Sequence, residues 1–379
     1  MKEKPIINQL MMRKLLSIPA VLLSMFLLFG NAQAQFSDSG DILKAGAADG
    51  NLLLKEYLKP FANGFGADLN SGWINTARPY RTLGFDLRVS AGIALVPSGD
   101  RSFNVDDISF QNLDRVGGPP EAQTAFGEDV SGPEMGIFGT NPMTGLRQEI
   151  TRFTMPEGTG YPYVPAPMVQ ATVGVISDTD ISIRFMPAIT VDDFNVSLFG
   201  LGVKHGLNQW LPGGAALPVD LSVQLGYTQL SSDYGFELLP EQGNDIYNPF
   251  SGNPSLWDGQ KVEFEATGFT GNILVGKNLP ILSVYGGLGF QTSAITIDSR
   301  GSIPITSFNP NVNTADQSEE TREKIIERID DPINLEFDGS NSIHALAGFR
   351  LRFGFIAISG SYTLSDYPVA NIGVGLSFR

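Results

Sequence analysis

Two histidines and no cysteine stand among 379 residues, which narrows the chemistry open to the chain at once. Without a thiol there is no disulfide, no thiolate metal site, no thiol nucleophile and no lipidated N-terminal cysteine. General-base work falls to His205 and His344, and a hydrolase would need a serine or an acid set against one of those rings. Nothing around either argues for such a constellation, so no catalytic, cofactor-binding or metal-ligating residue is assigned and no enzyme is expected. A lipid-modifying enzyme is kept as a third reading that would have to use one of these imidazoles. His344 shares a strand phase with Arg350 and Arg352, and His205 follows Lys204 at a strand end. Asp86, Arg88, Arg184, Glu263, Glu265, Arg350 and Arg352 all fall on the polar phase of segments whose other phase is apolar. Such residues, with His344, are candidates to line an interior, where opposed charges pair with one another, brace a plug or line a selective pore. Asp41 and Glu56 are alternative partners for Arg350 and Arg352.

The elements that would carry these side chains have a period of two. Phe85, Leu87, Val89, Ala91, Ile93 and Leu95 alternate with Asp86, Arg88, Ser90, Gly92 and Ala94, which puts one apolar face on a strand. The alternation recurs at 169–175, 181–191, 219–227, 282–290, 343–353, 356–364 and 370–378. Segments 194–205 and 262–277 alternate but change phase near Leu198 and Gly268, as a β-bulge would make them do. Most of these ten segments are long enough to cross a membrane as tilted strands. A further pair at 102–110 and 148–155 would make twelve, and the expected range is ten to fourteen. Tight turns at 177–180, 278–280 and 353–354 alternate with long polar connections at 97–167, 231–260 and 298–341. That is the layout of an all-β, transmembrane, antiparallel up-and-down β-barrel, with both termini expected on the short-turn, periplasmic side. The connection at 192–193 is short on the long-loop side, and 205–218 is of medium length on the other.

Before the strands come two different segments. Residues 1–34 read as a Sec signal peptide: Lys2, Lys4, Arg13 and Lys14, then an apolar run from Leu15 to Phe29, then Ala32-Gln33-Ala34. The alternative is an uncleaved anchor helix, for which the run is short. Residues 35–80 read as a short helical, plug-like segment, and 81–379 as the barrel. Leu52, Leu53, Leu54, Tyr57 and Leu58 give the helix its apolar side, Pro60 is expected to end it, and 61–80 to be a turn-rich connector. Cleavage would remove four cations and one anion and move the formal charge from −15 to −18, which argues against nucleic acid as a partner. In the last long connection, Asp316 to Ile329 reads as a helix with an Asp316–Glu319 capping pair, and ten acids face four bases between Asp298 and Asp338. Trp73, Trp210 and several tyrosines near strand ends suit an aromatic girdle.

The terminal strand, with Ile372, Val374, Leu376 and Phe378 on one face, resembles the signal read by the barrel-assembly machinery, which makes that machinery and outer-membrane lipids the expected partners. The stretch GLGVKHGLNQWLPGGAALPVDLSVQLGYTQL at 200–230, the first strand GFDLRVSAGIALVP and the plug-like N-terminus resemble an outer-membrane barrel family common in Bacteroidota. That family is distantly similar to the long-chain fatty-acid transporters. The resemblance implies an outer-membrane barrel moving or binding a small compound, hydrophobic ones included, without a cofactor. It transfers no binding residue. A closed structural or surface-interaction barrel, with acidic loops that bind a partner, is the alternative.

Overall fold

The computed structural model describes residues 42, 45–191, 193–313, 318–339 and 342–378. The signal peptide and Asp41 lie outside these. Ten strands form the barrel: β1 Phe85–Leu95, β2 Tyr163–Val175, β3 Thr179–Val191, β4 Phe194–Gly206 and β5 Asp220–Gly235, then β6 Lys261–Asn278, β7 Leu282–Arg300, β8 Ser342–Phe353, β9 Ile356–Leu364 and β10 Val369–Phe378. Each pairs antiparallel with its neighbour in sequence, and β1 pairs with β10 from Phe85↔Phe378 to Ala94↔Val369. That last pairing closes the ring and leaves no free sheet edge, which strands need to sit in hydrocarbon. Outward positions such as Leu87, Phe199, Leu225, Ile273, Phe290, Ile372 and Val374 are apolar and exposed. Lipid is the solvent such a face requires. Among the described residues no helix is long and apolar enough to cross a membrane.

The pair expected within the first long connection does form strands, but off the barrel. Ser102–Asn104 pairs with Glu121–Gln123, while Arg147–Thr154 joins Glu134–Thr140 and Leu113–Gly117 in a separate small sheet. The last long connection is also a sheet. Lys324–Asp330 pairs with Ser302–Phe308 and with Ile246–Tyr247, which replaces the helix expected over 316–329. Only Glu319–Thr321 makes a single 3-10 turn, and Asp316 lies outside the described residues. The isoleucines explain this outcome. Ile326 is buried beside Ile246 and Trp257, and β-branched side chains pack on a pleated surface more readily than along a helix.

The phase changes near Leu198 and Gly268 are not bulges. β4 runs in unbroken register with β5, and β6 with both neighbours. The register slips once in the barrel, at Pro187-Ala188 of β3, between Met186 and Ile189. What changes along β4 and β6 is polarity. Nearer the short turns, the wall is polar inside and apolar outside. Nearer the long loops, Val196, Leu198, Phe264, Ala266, Ile295 and Ile297 turn apolar side chains inward onto a helix.

That helix, α1 (Gly46–Asn70), fills the upper lumen. Pro60 sits inside it and does not end it, although it can donate no hydrogen bond to Glu56. Packing outweighs the lost bond: Phe61 and Phe65 stack at 5.7 Å, and both meet Phe264 of the wall at about 5.5 Å. The helix stops at Ser71 and Gly72, the latter at φ +67°, a conformation that glycine adopts without steric penalty. Its direction also corrects an expectation. Asp49 in the first turn accepts from Gln111 and Asn112, Asn51 bonds Pro332, and Tyr57 bonds Glu157, all at the long-loop end. The described chain therefore starts among the long loops, descends through the lumen and turns at the short-turn end into β1. Only the C-terminal strand finishes where both termini were expected.

Candidate functional site in the barrel lumen

Residues 71–80 form an irregular descending segment in the polar half of the lumen. An irregular backbone leaves its carbonyls without partners unless something else supplies donors. The wall supplies them. Arg184 of β3 donates to Leu69 O at 2.8 Å and also to Ser71 O, while Arg88 of β1 donates to Gly72 O at 2.6 Å. Gln170 donates to Trp73 O at 3.0 Å, Tyr285 to Ile74 O at 2.9 Å, Lys204 to Thr76 O at 3.0 Å and Ser222 to Ala77 O at 2.8 Å. Donors from six strands thus hold one peptide segment, and Arg184 and Arg88 close the carbonyl end of α1, where a helix dipole favours cations.

Trp73 is the largest side chain in this segment. The Arg184 guanidinium lies 3.8 Å from its ring centroid. The wall beside the indole is bare, because Gly202 of β4 and Gly226 of β5 pair directly across the strands. A Cβ at Gly202 would come within 2.7 Å of the ring, and one at Gly226 within 2.6 Å. Further down, Asp180 forms an ion pair with Lys204 at 2.9 Å and accepts from the Tyr80 amide at 2.7 Å. Asp86 accepts from Asn75 at 3.2 Å and lies 3.9 Å from Arg350, which also bonds Ser377. Two small cavities border Trp73. One of about 10 Å³ borders Gln170, Asp180 and Lys204, and one of about 20 Å³ borders Asn272, Tyr285 and His344. Each has room for about one water.

Of the eight sequence candidates, Asp86, Arg88, Arg184, His344 and Arg350 are buried in this lumen. His344 meets Asn272 at 2.7 Å. Arg352 shares Arg350's phase but sits at the short-turn rim, bonded to Pro280 O at 3.4 Å. Glu263 and Glu265 are corrected: they alternate with inward Phe264 and so face outward, where Glu263 pairs with Lys261 at 2.7 Å and Arg300 at 2.8 Å. They sit in the half of β6 where the lumen is apolar, so the polar phase there is the outer one. Neither arginine pairs with the helix, since Arg350 turns to Asp86, Arg352 to Pro280 and Glu56 to Lys59. Trp73 is a lumen residue and not part of a girdle. Trp210 is 70 % exposed at the short-turn end.

Sequence reasoning missed Gln170, Asp180, Gln224, Asn272 and Tyr285. Their signal was present: each occupies the inward phase of a strand whose outward phase is apolar. Among the described residues no group of His, Asp and Glu side chains is arranged to hold a metal ion.

None of the curated proteins matches this sequence. Three solved structures similar to it are the attachment invasion locus protein Ail of Yersinia pestis, the translocator domain of the autotransporter NalP of Neisseria meningitidis and the Ralstonia pickettii toluene transporter TbuX. Ail is 10 % identical over 78 % of this chain and 98 % of its own, with a TM-score of 0.22. The NalP domain is 10 % identical over 86 % and 97 %, at 0.24. TbuX is 9 % identical over 85 % and 99 %, at 0.25. At these scores the closed ring of strands rests on the chain's own pairing. The profile of one family covers residues 12–378, and the chain belongs to that family, described as a family of unknown function (DUF6588).

Proposed function

We propose that this chain is an outer-membrane barrel whose lumen is stoppered by its own N-terminal segment and whose work is done by the folded cap at the long-loop end. The supporting observation is the set of wall donors on the carbonyls of Leu69 to Ala77, beside which the two cavities bordering Trp73 measure about 10 and 20 Å³. A hydrated ion or a small solute does not fit through such a space. Short turns on the periplasmic side put the small sheets outside the cell. Those sheets are acid-rich, with ten acids to four bases over 96–162 and four acids to none over 236–260. A cationic partner, or an anionic one bridged by divalent cations, suits that surface. Phe378 of β10, outward and stacked on Phe85 at 6.2 Å, offers the barrel-assembly machinery its aromatic signal.

Passive movement of a small, hydrophobic compound is the second reading. It is favoured by the attachment of residues 71–80 to the wall through side-chain hydrogen bonds, which can exchange with water. It requires residues 71–80 to shift. Purified protein in planar bilayers separates the two. The stoppered barrel is expected to show no steady conductance and no solute entry in liposome swelling, while sustained wild-type conductance would refute it.

A further inference from the structure

We propose that the short-turn rim is a lipid-binding surface sunk into the glycerophospholipid leaflet, with residues 207–219 as its foot. This connection between β4 and β5 contains no charged residue. It is nevertheless an ordered unit. The Asn208 side chain donates to Val219 O at 2.9 Å and to Gly214 O at 3.3 Å, and accepts from Leu221 N at 2.7 Å. Its apolar side chains point out of the protein: Trp210 is 70 % exposed, and Leu211 and Leu217 are each 41 % exposed. Trp210 Nε1 donates to His205 Nε2 at 2.8 Å. His205 lies on the outward phase of β4, after Leu201 and Val203. The indole therefore lies on the lipid side of the wall with its N–H already satisfied, and the exposed ring makes no polar demand. The foot continues the apolar belt of β4 and β5 beyond their ends.

The same rim is greasy at every other turn. Ile176 follows β2 and is 74 % exposed, Leu279 and Ile281 join β6 to β7 at 49 % and 57 %, and Phe355 joins β8 to β9 at 66 %. Turns between strands are ordinarily polar, and apolar patches left in water mark an interaction surface. The distribution selects the occupant. A docking protein covers one sector, whereas a leaflet surrounds the barrel and reaches all four turns. Amphipathic elements that lie in the plane of an interface bury their apolar side in this way.

The absence of cysteine makes the test direct, because each engineered thiol is the sole one. Leu211→Cys, Ile176→Cys and Phe355→Cys carry a nitroxide in phospholipid liposomes, with Leu225→Cys in the belt and Asn244→Cys in a loop as references. Heat-shifted gel migration verifies folding of each. All three rim labels are expected to resemble Leu225→Cys, colliding with oxygen more than with a water-soluble nickel chelate. Rim labels resembling Asn244→Cys would overturn the proposal. So would rim labels that meet the chelate in pure phospholipid yet are shielded from it in native membranes, since a protein would then be the cover.

Discussion

Replacing Arg184 with alanine is expected to turn a silent barrel into a leaking one. The side chain is about 1 % exposed, holds Leu69 O, Ser71 O and Gln170, and stacks on Trp73. Its removal takes the donor from Ser71 O, leaves Leu69 O with only the longer bond from Thr228 Oγ1 at 3.4 Å, opens a void the size of a guanidinium and takes the nearby cation from buried Asp68. Breaking a buried, hydrogen-bonded charge of this kind costs about 3–5 kcal/mol. The strain falls on the plug, because the ring of strand pairings is untouched. The expected readout is fluctuating conductance in bilayers, with a barrel that still shifts on boiling but at a lower temperature. Arg184→Lys should fall between, since one ammonium cannot serve two carbonyls and a ring face together. A silent Arg184→Ala barrel of wild-type thermal behaviour would mean that the clamp holds nothing.

Trp73→Ala is the second large effect. Truncating a buried indole costs about 3–5 kcal/mol, and here the lost volume joins the two cavities that border it. Small solutes are expected to enter liposomes carrying this variant and not those carrying wild type. Trp210→Ala, which removes an exposed indole, should leave entry at the wild-type level. The glycines beside the ring give the opposite test of fit: a methyl group at Gly226 has no room while Trp73 stays seated. Equal swelling for Trp73→Ala and Trp210→Ala would contradict this placement of Trp73.

The barrel was legible because lipid and lumen impose opposite demands on successive residues, so β1, β7 and β10 show their faces at a glance. The same rule misplaced Glu263 and Glu265. It assumes that polar means inward, and in the upper half of β6 the inward neighbour is the phenyl-lined helix and the outward one is water. The plug was legible only in part. Leu53, Leu54 and Tyr57 announce a helix, but the apolar face that carries it past Pro60 belongs to wall strands distant in sequence. Wall glycines gave no local signal either. Gly202 and Gly226 look like any strand glycine until their register sets them side by side beneath Trp73. The isoleucines of 325–329 fit a short helical stripe as well as a strand, and the partner strand at 302–308 decided between them.

The central claim is that residues 71–80 occupy the closed lumen, and a plug-to-wall cross-link tests it most directly. Ser71 and Asn371 of β10 touch through their side chains, at 3.1 Å from Nδ2 to Oγ. With no native cysteine, Ser71→Cys combined with Asn371→Cys presents one thiol pair in the folded protein. A short bis-methanethiosulfonate, which loses methanesulfinate to each thiolate, is expected to join them within single barrels in native membranes, leaving conductance absent as before. Free modification of both thiols by a bulky water-soluble maleimide, with no cross-link formed, would place the segment outside the barrel and contradict the account.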